Sequence, residues 1–286
     1  MASLKDLRRR IRATKSMQQI FKAMEMVSAA KLRRAQMRAQ AASPYSRKIT
    51  EILGNLAGAA SELEHPLFKS REVKRSALLV ITADRGFAGT YSTNVLRAAE
   101  AIMNTRPAGS VLLIVTGRKG RDYFRRRGVP IHAAHTDLAS DASIDLARQL
   151  TDELSDLFLR GEVDQVEVMF THMVNALVRK VITETFLPIG GNVQQQQGSQ
   201  DRGTIFEPDA AAIFAALVPR YATAKLYAAM ADAFAAEHSA RMVAMGSARK
   251  NAGELVDALT LTRNRMRQAA ITREIAELVG GAEALK

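Results

Sequence analysis

Cysteine and tryptophan are absent from this sequence. Without thiols there is no disulfide framework, no thiolate metal cluster and no thiol redox chemistry belonging to the chain itself. Aromatic residues make up only 5%, which leaves little with which to stack single-stranded nucleic acid. No run approaches eighteen consecutive apolar residues, so no segment is expected to span a bilayer, and the opening MASLKDLRRRIRATKS lacks the apolar core of a secretory signal. Acidic residues are in the minority: 29 Asp and Glu against 41 Lys and Arg leave a formal charge of +12. Such a chain calls for an anionic partner, and nucleic acid, lipid head groups and an acidic protein all qualify.

Signatures of catalysis and ligand binding are missing too. Gly86, Gly89, Gly117 and Gly120 follow strand-like runs, but no G-x-G-x-x-G or G-x-x-x-x-G-K-[ST] surrounds them, so they are read as βα-turn glycines. His65, His132, His135, His172 and His238 show neither H-E-x-x-H nor zinc-finger spacing, and His132 and His135 read as loop residues. No serine sits in a G-x-S-x-G elbow. No catalytic, cofactor-binding or metal-ligating residue is expected, and no cofactor.

What the chain does have is helical apolar periodicity at both ends. Apolar residues make up 47%, with alanine, leucine and methionine prominent, a mixture that favours helices. Leu7, Ile11, Met17, Ile20, Met24 and Val27 recur in steps of three and four apart from one longer gap, with no Pro or Gly before Pro44. This predicts one amphipathic helix from Leu4 to about Leu53, roughly 75 Å long, with a kink expected at Ser43-Pro44. After Glu207-Pro208-Asp209, where proline and aspartate suit a helix start, a second long helix is predicted to Lys286. Its stripe is Leu255, Leu259, Thr262, Met266, Ala269, Ile271, Ile275, Leu278, Ala282 and Leu285, with Pro219, Gly246 and Gly253 as weak points. Two such stripes each hide an apolar face by packing antiparallel against the other.

Between them the texture changes. Ser76–Thr82 and Val111–Thr116 are short apolar runs rich in β-branched residues, the pattern of strands buried on both faces. Further strands are predicted at Val129–Ala133 and Val163–Phe170, with a helix across about Ser143–Leu159, giving βα units and a mainly parallel sheet. Residues 190–203, with a glutamine run, read as a surface loop. The fold class is α/β: a long antiparallel coiled coil of N- and C-terminal helices, 1–60 and 208–286, with an inserted Rossmann-like domain at 74–190.

Ile20–Leu32, around Lys-Ala-Met-Glu-Met-Val, and Ile271–Leu285, with Ile-Thr-x-Glu followed by acidic residues and Gly-Ala, resemble the terminal patterns of F-type ATP synthase γ subunits. Glu237–Met245 and Asp84-Arg85-Gly86-Phe87-Ala88-Gly89 extend the resemblance over essentially the whole chain. It implies a non-catalytic shaft of paired helices passing through a hexamer of α and β subunits, with the globular part and helix bases on a membrane ring of c subunits and an ε subunit against the globular part. Proton flow turns ring and shaft, and the shaft drives the β subunits through their states of ATP synthesis. By the same resemblance Lys22, Met24, Met26, Arg241, Gln268, Thr272 and Glu274 contact β subunits, and Phe206 and Glu207 approach the ring. The resemblance places the chain peripherally on the cytoplasmic face of a bacterial inner membrane, or on the matrix side in an organelle.

Two other readings of the residues stay open. The basic N-terminal helix, with Arg8, Arg9, Arg10, Arg12 and Lys15, could bind nucleic acid, although it shares its surface with Met17, Ile20 and Phe21. The middle domain could bind a nucleotide at the switch point of its sheet, although it lacks a phosphate fingerprint.

Overall fold

The structure, a computed structural model, describes residues 3–59, 65–138, 142–189 and 209–283. Two helices dominate it. Helix α1 spans Leu4–Ala59 and the last helix, here α5, spans Ala210–Glu283. Pro44 and Pro219 lie inside these helices without ending them. Asp209 caps α5 as its position suggested, its carboxylate accepting a hydrogen bond from the Ala212 N–H at 2.7 Å.

The chain divides into two compact units that cut across both long helices, one made of Met1–Ser28 and Met242–Lys286, the other of Ala29–Arg241. The second holds the α/β layers: β1 (Ser76–Ile81), α2 (Tyr91–Asn104), β2 (Val111–Thr116), α3 (Arg118–Arg126), β3 (Ala133–His135), α4 (Ile144–Leu159), β4 (Gln165–Met173) and β5 (Arg179–Leu187). Strand order is β3-β2-β1-β4-β5, parallel throughout except for β5, which pairs antiparallel with β4.

Alternation along the central strands sorts the core into two faces. Leu78, Val80, Leu113, Val115 and Met169 meet Val95, Leu96 and Ala99 of α2 and Phe124 of α3. Leu79, Ile81, Ile114, Val168 and Phe170 belong to the cluster that holds Leu150, Leu154 and Phe158 of α4, Ile49 and Leu53 of α1, and Phe214, Val218 and Met230 of α5. Every residue of β1 is buried, as its unbroken apolar run requires. Each fully buried Leu or Phe here contributes roughly 1.5–3 kcal/mol of burial free energy.

Three strand boundaries differ from expectation, each for a local reason. Strand β3 forms at Ala133–His135 instead of Val129–Ala133, since Pro130 has no N–H for a ladder. Strand β4 starts at Gln165 because Asp164 is already engaged: its N–H bonds Arg75 O, and its carboxylate accepts from the N–H groups of Lys74 and Arg75 at 2.9 Å. Those two bonds hold the Asp164 carboxyl below its ordinary pKa. Strand β5 was not foreseen. It follows a turn in which Asn175 Oδ1 accepts from the N–H groups of Leu177 and Val178, and its Val181, Ile182 and Thr183 are ordinary strand formers.

Of the glycines read as turn residues, Gly120 lies inside α3. Gly117 is the turn residue between β2 and α3, at φ +91°, and a Cβ there would sit 2.4 Å from the Thr82 carbonyl oxygen. We expect Gly117→Ala to destabilise the full chain by roughly 2–4 kcal/mol, from the forbidden backbone conformation and the clash together. Urea unfolding followed by tyrosine fluorescence measures it, and an unchanged midpoint contradicts this account.

Candidate partner interface

In the α/β unit, β2 and β3 lie on one side of β1 and β4 on the other, so the chain reverses its direction of travel across the sheet at the β1/β4 boundary. The crevice at the carboxyl ends of such strands is where open α/β sheets hold ligands. Here α5 lies across it. Asp232 accepts from the Met173 N–H at 3.0 Å and pairs with His172 Nδ1. The Tyr91 hydroxyl donates to the Ala233 carbonyl at 3.0 Å. Ala236 and Ala240 pack against Ala83, Ala88 and Tyr91. Ser239 Oγ donates to Ala176 O at 2.6 Å and accepts from Arg179 Nη1 at 3.0 Å. Arg241 donates to Gly86 O at 3.1 Å and to Glu237 Oε1 at 2.5 Å.

Burial pushes the Tyr91 hydroxyl well above its ordinary pKa, and the Glu237 and Asp232 carboxylates push it further, so it stays a donor. The N-terminus of α3, a natural anion site, is occupied as well: the Asp84 carboxylate accepts from the Arg118 N–H at 2.8 Å, and also from the Leu138 N–H in the segment after β3 at 2.5 Å. The places a nucleotide would take in this fold are filled by the chain's own groups. The histidines are dispersed: His135 pairs with Glu153 at 2.8 Å, His65 accepts from the Leu67 N–H, and among the described residues no three His, Asp or Glu side chains converge on a metal-sized site.

In the helical unit α1 and α5 run antiparallel. Arg249 Nε donates to Glu25 at 2.8 Å, Gly246 faces Glu25, and Gly253 faces Gln18, so one helix descends as the other rises. On α1 the covered positions include Leu7, Ile11, Thr14, Gln18, Phe21, Glu25 and Ser28, alternating in steps of four and three. On α5 they include Met245, Ala252, Val256, Leu259, Arg263, Met266 and Ala270. An antiparallel pair was expected, and of its expected stripes Leu7, Ile11, Leu259 and Met266 do lie in the seam. Elsewhere seam positions such as Gln18, Phe21, Ser28 and Val256 lie one position beyond the large apolar residues read as the stripe, and Met17, Ile20, Val27 and Leu255 are exposed.

The seam tolerates its polar residues because they are satisfied locally. Thr14 and Ser28 hydroxyls donate to the carbonyls of Arg10 and Met24, four residues back, and Glu25 pairs with Arg249. Gly246 and Gly253 do not interrupt α5. They give room to Glu25 and Gln18, whose side-chain ends lie 3.2 and 2.9 Å from where a Cβ would be.

The expected partner residues fall into four groups. Lys22 and Met26, four apart on one face of α1, are exposed, Met26 at 64%, while Met24 is half-buried. Gln268, Thr272 and Glu274 are exposed on α5, where every position from Ile271 to Gly281 is uncovered. Arg241 differs from these, for its guanidinium is engaged within the chain. Phe206 and Glu207 lie outside the described residues.

A family model described as ATP synthase matches residues 3–285. The ATP synthase gamma chain of Desulforamulus reducens is 45% identical over 286 residues, covering 100% of both chains. This chain belongs to the ATP synthase gamma family. The gamma chain of Moorella thermoacetica is 44% identical over 289 residues, again across 100% of each. In fold, the chain resembles one in the mitochondrial ATP synthase of Euglena gracilis, with a TM-score of 0.69 at 18% identity, covering 99% of this chain and 94% of that one. A chain of the central stalk and c-ring structure from Tetrahymena thermophila matches with a TM-score of 0.62 at 21% identity, over 80% and 99%.

Two exposed apolar features of this gamma-family chain escaped the sequence reading. Phe87 stands 69% exposed at φ 63° in the β1–α2 turn, and Val174, Leu177 and Val178 are exposed around the β4–β5 turn. The Asp-Arg-Gly-Phe motif gave a turn at Phe87 without its facing. The second turn could not be located until β5 was recognised.

The Tyr91 bond to α5 is testable by removing one atom. We expect Tyr91→Phe to lower stability by about 1 kcal/mol, the ordinary net value of a buried hydrogen bond, with assembly intact. Thermal unfolding of the full chain reads it, and a stabilised variant contradicts this role for the hydroxyl.

Proposed function

We propose that this chain is the central stalk of a rotary, proton-translocating ATP synthase: it turns inside an α/β hexamer and couples proton flow through the membrane ring to ATP synthesis in the β subunits. One observation carries the reading beyond family membership. The helix pair covers Thr14, Gln18, Glu25 and Ser28 and exposes Met17, Ile20, Met26, Val27 and Leu255. A coiled coil that kept to itself would do the reverse, and a large exposed apolar surface marks a place where other chains pack. The uncovered end of α5, with Ile271, Ile275 and Leu278 in steps of four and three, fits the same use.

The stalk makes and breaks no bonds in this account. It favours one conformation of each β subunit over the others by contacting them differently as it turns, and a ligand shifts an equilibrium only by such differential contact. Lys22, Met24, Met26, Gln268, Thr272 and Glu274 are the proposed β contacts, and Phe206 and Glu207 the proposed ring contacts. Methionine suits a surface that meets several partners in turn, since its thioether repacks readily. The basic residues of α1 add attraction to acidic levers, each solvated pair contributing roughly 0–1 kcal/mol. An ε subunit bears on the α/β unit, and the site of work is the cytoplasmic face of a bacterial inner membrane. No helix among the described residues is long and apolar enough to cross a membrane.

The deciding experiment mixes the purified chain with α and β subunits and follows gel-filtration mass and ATP hydrolysis. One copy entering a hexamer and activating hydrolysis is expected. Failure to assemble, with salt-dependent DNA binding instead, would overturn the reading in favour of a basic nucleic-acid helix. Within the complex, Met24→Lys should lower proton pumping per ATP hydrolysed in membrane vesicles, because an ammonium in an apolar contact costs on the order of 1–3 kcal/mol without a partner. Unchanged coupling removes Met24 from the contact. Deleting Ile271–Lys286 should weaken assembly or torque, and full rotation without it would make the exposed end dispensable.

A further inference from the structure

Arg241 belongs by motif with the β contacts, but its surroundings give it other work. Its side chain is only 11% exposed and that of Glu237 9%. The guanidinium spans from Glu237 Oε1 to the carbonyl of Gly86, joining α5 to the β1–α2 turn. In that turn Phe87 has φ 63°, a conformation a bulky side chain adopts only when its surroundings over-determine it. Two groups supply that constraint. Asp84 ties the start of the turn to α3 and to the segment after β3 through the Arg118 and Leu138 N–H groups. Arg241 ties Gly86, the residue just before Phe87, to α5. Glu237 lies one helical turn before Arg241, so its carboxylate aims the guanidinium and neutralises it where water is scarce.

We propose that Arg241 and Glu237 are positioning residues that lock the β1–α2 turn to α5, so that the sheet and this stretch of helix move as one body, and that Arg241 works through Gly86 and Glu237 without touching a β subunit. The proposal rests on the stalk reading for its consequence: a loose turn would let the α/β unit yield under load, and proton flow would couple less tightly to hydrolysis. Its geometry is independent of that reading, and so is half of its test.

The test uses Glu237→Gln, Arg241→Gln and the double variant, each in the full chain and in the assembled complex. In the full chain, mass spectrometry follows tryptic cleavage after Arg85, an exposed residue inside the clamped turn. Both single variants should speed that cut several-fold, with cleavage after Lys180 on β5 as the control. In vesicles both should lower pumping per ATP hydrolysed while the hexamer still hydrolyses ATP. The double variant should be no worse than Arg241→Gln, since the two residues act as a unit.

An unaltered cut at Arg85 in Glu237→Gln overturns the proposal. So does a coupling defect confined to Arg241→Gln, which would mean that the arginine acts by direct contact with a partner. If the wild-type complex neither assembles nor pumps, the stalk reading fails, and the proteolysis still decides the clamp. If Glu237→Gln does not fold, Glu237→Asp, which keeps the charge at shorter reach, takes its place with the same expected acceleration, and no acceleration overturns the clamp.

Discussion

The contact on which the α/β unit depends is the passage of α5 across the carboxyl end of its sheet. A doubly wound sheet has one open crevice, and leaving it empty would expose the backbone at the ends of β1 and β4. Residues 232–241 of α5 fill it with alanines where the fit is close and with polar groups where loop backbone needs partners: Asp232 for Met173, Ser239 for Ala176 and Arg241 for Gly86. A fold that elsewhere serves as a binding site becomes a mounting for a helix, and fold alone is no guide to use.

The helical unit follows the opposite logic. Its seam mixes buried apolar residues such as Leu7, Ile11, Met245 and Val256 with polar ones, and Thr14, Ser28, Glu25 and Gln18 are met by their own backbone, by Arg249 or by the room above a glycine. Other large apolar groups, Met17, Ile20, Val27 and Leu255 among them, face outward. The pair is thereby held in register by Glu25 and Arg249 and by close approach at Gly246 and Gly253.

Much of this was legible in the residues. Both long helices, the strands β1, β2 and β4, helix α4 and the Asp209 cap followed from periodicity, β-branched runs and helix-start chemistry. The seam was legible only in part, at Leu7, Ile11, Leu259 and Met266, because periodicity gives the spacing of a stripe and says nothing of what the stripe faces. Reading Met17, Ile20 and Val27 as internal assumes that large apolar residues pack within the chain, and here all three are exposed. Strand β5 and the turn before it were missed because Arg179, Lys180, Glu184 and Thr185 mask the alternation. Arg241 was recognisable as a motif residue. Its bond to Gly86, 155 positions away, could come only from the fold.

Under the proposed stalk function, an exposed apolar stripe beside a basic surface also bears on what kind of contact a shaft can make. Charge alone would hold a partner at any rotation angle with nearly equal strength, since solvated pairs are weak, long-ranged and screened by salt. Apolar contact is short-ranged and is lost as soon as surfaces part, so it distinguishes one orientation from the next. A helix pair that kept Met17, Ile20 and Val27 in its seam would be more stable alone and would offer its surroundings a nearly uniform basic cylinder. Moving those residues one position outward gives up stability in the isolated pair and gives the shaft faces that differ from one another. Differing faces are what a rotating part needs if each partner is to meet a different surface at each step.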